Sequence, residues 1–143
     1  MSDSNVRLRL GRVIVFGVLT EIATILLIVV TITIHASVVA AGKPESVVID
    51  FAKGAPAVIG PVAGMLFTFV AAKLATRPLT GRFRTHGALV GVVAALVTIP
   101  GLVAGDISML PLYVTANLLK IVAGAAGGAL SEKRRASLAE VAR

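Results

Sequence analysis

Cysteine and tryptophan are absent, aromatic residues make up 4 % of the 143-residue chain, and charged residues only 15 %. Without cysteine there is no disulfide framework, no thiolate metal site and no redox motif. Without tryptophan, the aromatic belts usual at membrane interfaces are thin. A soluble domain of this length carries about a quarter charged residues. The 15 % found here cannot cover a water-facing surface, so a soluble globular domain is not expected. Disorder is excluded, because disordered chains are poor in apolar residues. The length allows a single domain, 1–143.

Enzyme motifs are missing as well. No serine, histidine and acid form a nucleophilic set, and no two carboxylates share a site. The two histidines, His35 and His86, are expected on opposite sides of a membrane. There is no phosphate loop, no metal-ligand spacing and no extramembrane domain to hold an active site. Neither enzyme activity, nor a cofactor, nor a bound metal is expected. Arg134-Arg135-Ala136-Ser137 matches a short phosphorylation-like pattern, but reads better as part of a basic tail touching anionic lipid.

Hydrophobic residues, by contrast, make up 57 %, and the mean hydropathy is +0.95. They form four runs, about 13–41, 55–75, 87–105 and 111–130. Each is near the ~20 residues needed to cross a hydrocarbon core. Strands of a membrane barrel would be half as long and alternate in polarity. The first run follows Arg7, Arg9 and Arg12, as a signal peptide would. It is too long for one and contains Glu21, so a retained helix is expected. Pro56 suits the first turn of the second helix, and Pro100 lies inside the third. Residues 42–54 read as a solvated connection, with a brief surface helix from Ser46 to Phe51 as the alternative.

The net charge of +7 sits at the ends of the runs. That placement explains the charge by topology, so a nucleic-acid partner is not expected. Lys and Arg collect in 1–12, in the connection with Arg77, Arg82 and Arg84, and in 131–143. The positive-inside rule puts all three in the cytoplasm. The expected fold is an all-α integral membrane protein: four transmembrane helices in a compact bundle with both termini cytoplasmic. Its compactness suggests a multi-pass protein of a bacterial inner membrane.

Lipid gives helices little reason to associate except close packing through small residues. Gly87, Gly91, Ala94, Thr98, Gly101 and Gly105 form a bare stripe on the third run. Gly60 and Gly64 on the second, and Gly124 and Gly128 on the fourth, have small-xxx-small spacing. The first and fourth runs carry polar stripes instead. Gly17, Glu21, Thr24, Thr31 and His35 share one face; Tyr113, Asn117, Lys120, Gly124, Gly127 and Ser131 share another. These faces are costly in lipid, and are expected to face each other or a common interior.

Glu21 and Lys120 are the most informative residues. From the same side they lie roughly 13 and 16 Å deep at 1.5 Å per residue. A lone charge there costs about 2.5–3.5 kcal/mol on insertion scales. Pairing offsets both costs, and Asn117, one turn from Lys120, is placed to donate a further hydrogen bond. With His35 these residues make the expected intramembrane polar site. Three roles stay open: a structural pair, an ion or proton site, and recognition of a charge on a partner protein.

A glutamate in the middle of the first of four short helices resembles the small multidrug resistance transporters. The resemblance covers Glu21 and the helix count, and implies that Glu21 binds protons and cationic drugs. The chain departs from that pattern in lacking aromatic residues near the site and in carrying Lys120, which repels cations. Its charge bias favours one orientation, against an antiparallel dimer. The family is not assigned. The expected function is a non-enzymatic accessory, assembly or regulatory subunit. The alternative is a small oligomeric transporter or channel using the Glu–Lys pair. Expected partners are the lipid bilayer and either further copies of the chain or another membrane protein.

Overall fold

The apolar runs become helices. The computed structural model describes residues 9–100 and 107–141. Arg7, Gly101, Gly105 and Asp106 lie outside the described residues. Helix α1 is Leu10–Ile34, continued by a π-helical turn at His35–Val39. Helix α2 is Glu45–Thr76 and α3 is Phe83–Val97. A short 3-10 turn, Ile107–Met109, leads into α4, Leu110–Val141. The described residues contain no strand. Three segments, Leu10–Val39, α2 and α4, are long and apolar enough to cross a membrane; α3 has 15 residues and is shorter.

Two helices run beyond the expected spans. Helix α2 starts at Glu45, so 46–51 are its first turns and not a solvated loop. Pro44, at φ −56° and ψ 145°, sets the entry, and Glu45 places a negative charge at the positive end of the helix dipole. Pro56 and Pro61 both lie inside the helix, so Pro56 is not at its first turn. Helix α4 passes straight through Ser131–Arg135 to Val141. The charged residues there are good helix formers. Ser131 is buried and donates to the Lys73 carbonyl at 3.2 Å, while Thr76 Oγ1 donates to Ser131 Oγ at 2.9 Å.

The bundle is built inside out relative to a soluble one. Its buried residues are mostly alanine, glycine and threonine, such as Ala72, Ala75, Ala94, Thr20 and Thr68. Large side chains such as Ile22, Leu26, Leu66, Leu118 and Val122 are exposed. That is the arrangement expected where the surrounding medium is as apolar as leucine. Helix α1 packs on α2 and α3, and α4 packs on the same two. Helices α1 and α4 face each other across the bundle.

The hydrophobic core sits towards the basic end, where α1 begins and α4 ends. Val13, Ala71, Ala72, Ala75 and Val90 form it, with Phe16, Leu89 and Val93 packed around them. Backbones meet directly in this half. A Cβ on Gly87 would run into the Gly124 carbonyl, and one on Gly128 into the Phe83 carbonyl. A Cβ on Gly91 would lie 2.5 Å from the Lys120 carbonyl oxygen. Gly127 meets the Phe69 carbonyl of α2 in the same way, and Gly17 gives room to Val93, whose Cβ would be 2.6 Å from a new methyl. Arg12 caps α2 from outside, donating to the carbonyls of Leu74 at 3.2 Å and Ala75 at 3.3 Å. Cations at a helix C-terminus suit its dipole.

Candidate functional site

The two polar stripes converge on one contact. Lys120 Nζ of α4 donates to Glu21 Oε1 of α1 at 2.7 Å. Glu21 is 3 % exposed and Lys120 4 %. The contact spans the bundle between α1 and α4, each of which packs chiefly on α2 and α3. Gly64 of α2 makes it possible. A Cβ there would lie 2.6 Å from Lys120 Cε, so the bare backbone forms the channel along which the lysine stem lies. Gly64 thus serves the pair rather than a plain helix crossing. Gly60, one turn away, meets nothing within 4 Å and lines a cavity instead.

That cavity has a volume of about 350 Å³ and lies in the half of the bundle away from the start of α1 and the end of α4, lined from Glu21 and Lys120 to Lys53 and Met109. Its lining comes from α1, α2, α4 and the last residues of α3. Glu21 and Lys120 form its floor. Ile25, Ile28, Pro56, Ala57, Val97 and Leu112 are among its apolar walls. Thr24, Thr98, Asn117, Tyr113 and Lys53 supply its polar groups. Thr24 Oγ1 is turned to its own helix, donating to the Thr20 carbonyl at 2.9 Å.

Asn117 lines this cavity, but its Oδ1 is held by Thr98 Oγ1 at 3.1 Å. Among the described residues Asn117 makes no hydrogen bond to the charged pair, and its Oδ1 accepts from the end of α3. Thr98 is also bonded to the Ala95 carbonyl at 2.7 Å, so it ties α3 to α4 where α3 terminates. His35 is not part of the site. It lies fourteen residues beyond Glu21, roughly 21 Å along the helix axis. There it stacks on Phe51, ring centroids 3.7 Å apart and 9° from parallel. Its Nε2 is buried without a hydrogen-bond partner among the described residues.

The basic end holds a buried imidazole that was not among the expected site residues. His86 is 1 % exposed. Its Nε2 accepts the Arg9 backbone N–H at 3.3 Å, and Nδ1 lies 2.9 Å from the Arg82 carbonyl. Acceptance at Nε2 puts the proton on Nδ1, which donates to that carbonyl. Arg82 itself is left-handed, at φ 54°. His86 therefore fastens the start of α3 to the chain entering α1. An exposed pair, Arg84 with Glu132 at 3.2 Å, adds to that end.

Chemically, the pair is neutral as a unit. The ammonium has three donors and the carboxylate two oxygens, so each keeps capacity for a further hydrogen bond. Among the described residues no group of three His, Asp or Glu is placed to hold a metal ion. Lys53 and Tyr113 were not expected as site residues. Tyr113 lay on the polar stripe of α4, whereas Lys53 was hidden in residues read as a loop. No protein family, curated protein or solved structure matches the chain.

Proposed function

We propose that the chain crosses a bacterial cytoplasmic membrane four times, with its basic end in the cytoplasm, and works as a non-enzymatic accessory or regulatory subunit that conducts nothing by itself. The observation that carries this reading is the filling of the bundle between the pair and the basic end. There Gly87, Gly91, Gly124, Gly127 and Gly128 bring backbones into contact, and the core residues occupy the remaining space. A conduit needs polar groups or water on both sides of the central charges, and a bundle interior filled with side chains leaves no pore. Four crossings give α3 the same role as its longer neighbours, and put every arginine of the 77–84 turn on the positive side.

A second reading has support from the cavity. It brings one side of the bundle to within contact of Glu21 and Lys120, as an outward-open transporter would. In that reading further copies or a second state supply the other half of the path. Purified protein in liposomes separates the two. No proton or cation flux above empty vesicles, at neutral and acidic pH, supports the accessory role. Reproducible flux that disappears in Glu21→Gln overturns it and makes Glu21 the ion ligand.

A further inference from the structure

We propose that the cavity is a binding site for a single-chain anionic amphiphile, its aliphatic chain in the cavity and its carboxylate or phosphate at Lys53. The site does not depend on the accessory or the transporter reading, and it takes a different ligand class from the cations that the Glu21 resemblance implies.

The dimensions set the chain length. Lys53 stands eleven residues before Gly64, which is level with Lys120, so the cavity is roughly 16 Å deep at 1.5 Å per residue. An extended chain advances about 1.2 Å per bond, which gives about thirteen bonds. A chain of about twelve carbons fits this depth.

The chemistry sets the polarity. The walls are aliphatic, from Ile25, Ile28, Pro56, Ala57, Val97 and Leu112. The floor is charged but already neutralised, and Glu21 and Lys120 expose 3 % and 4 % of their surface. A terminal methyl there meets little open charge. Lys53 is different. It lines the cavity, is exposed, and forms no ion pair among the described residues. It is the one uncompensated charge in the lining, and it is positive. An anionic head with an apolar body complements this arrangement, whereas a cationic head meets repulsion at Lys53 and a glutamate already engaged at the floor.

The chain supplies its own probe, because Tyr113 lines the cavity and is the only tyrosine, with no tryptophan present. The full-length protein in nanodiscs of zwitterionic phospholipid is titrated with dodecanoate, dodecyl phosphate, dodecanol and dodecyltrimethylammonium, and Tyr113 emission is followed. Saturable changes are expected with either anion, with the cation bound at least about tenfold more weakly because one charge is reversed beside Lys53. Lys53→Gln should weaken anion binding about three- to tenfold and leave dodecanol unchanged. Gly60→Leu grows a side chain into open space, and should abolish the saturable change while helicity and size are kept; if that variant does not fold, Ala57→Leu replaces it. An equal response to the cation, a saturable response that survives cavity filling, or no saturable response to either anion overturns the proposal.

Discussion

Truncating Lys120 to alanine strands the Glu21 carboxylate where only 3 % of the residue reaches the surface. Truncating Glu21 does the same to the ammonium. Breaking a buried pair from one side costs about 3–5 kcal/mol, because the remaining charge is uncompensated. Lys120→Ala should fall at the upper end, since it also empties the channel over Gly64. The double change Glu21→Leu with Lys120→Met removes both charges and keeps the volume. Methionine is unbranched, so its stem lies over Gly64 as the lysine stem does. Replacing a buried pair by apolar residues of similar size is often neutral or better. The double variant should therefore lie within about 1–2 kcal/mol of the wild type. The coupling energy should exceed about 3 kcal/mol, well above the value for an exposed pair. Reversible unfolding in mixed micelles, followed by circular dichroism, measures all four proteins. Raising the salt to about 1 M should change the coupling little, because buried pairs are weakly screened. A double variant no more stable than the worse single one would show that the two residues are not partners.

The glycines give opposite outcomes by surroundings. Gly124→Ala drives a methyl into the Gly87 carbonyl and should cost about 1–3 kcal/mol or more. Gly54→Ala, where nothing lies within 4 Å, should be neutral or add up to about 1 kcal/mol through helix propensity. Unfolding midpoints of the two variants check this, and equal effects would contradict the packing described. For orientation, a reporter after Arg143 should be active in the cytoplasm and one inserted at Gly42 outside it; the reverse pattern would invert the proposed topology.

Much of the site was legible because its residues violate their surroundings. A glutamate and a lysine inside apolar runs stand out, and the 3.6-residue period places Gly17 and Thr24 beside one, Gly124 and Gly127 beside the other. The same period separates the large exposed side chains from the small buried ones. What was not legible depends on which helix lies opposite. Gly60 and Gly64 share a helix, a spacing and a composition, yet one borders a cavity and the other carries Lys120. Asn117 sits one turn from Lys120, but the end of α3 offers it Thr98 instead. The first turns of α2 have the polarity of a loop, because a helix projecting past an apolar bundle resembles one in composition. The extension of α4 past Ser131 was hidden for the same reason.

The position of the charged pair follows from a gradient in side-chain size. Towards the basic end α3 presents Gly87 and Gly91, α4 presents Gly124, Gly127 and Gly128, and α2 presents Ala71, Ala72 and Ala75. Backbones can meet there. Further along, α4 turns to Ala116, Asn117 and Tyr113, α2 to Pro61 and Pro56, and α3 ends. Backbone contact gives way and the bundle hollows. Glu21 and Lys120 lie at that boundary. Nearer the basic end, no space remains for a lysine side chain between the backbones. Nearer Lys53, the charges would meet solvent or ligand and hold each other weakly. At the boundary there is room beside Gly64 and little exposure, so the attraction is least screened. The same place joins α1 to α4, two long helices that each pack chiefly on α2 and α3. The pair is therefore both the floor of the cavity and the direct tie between its opposite walls, so whatever enters the cavity rests on the contact that holds those walls together.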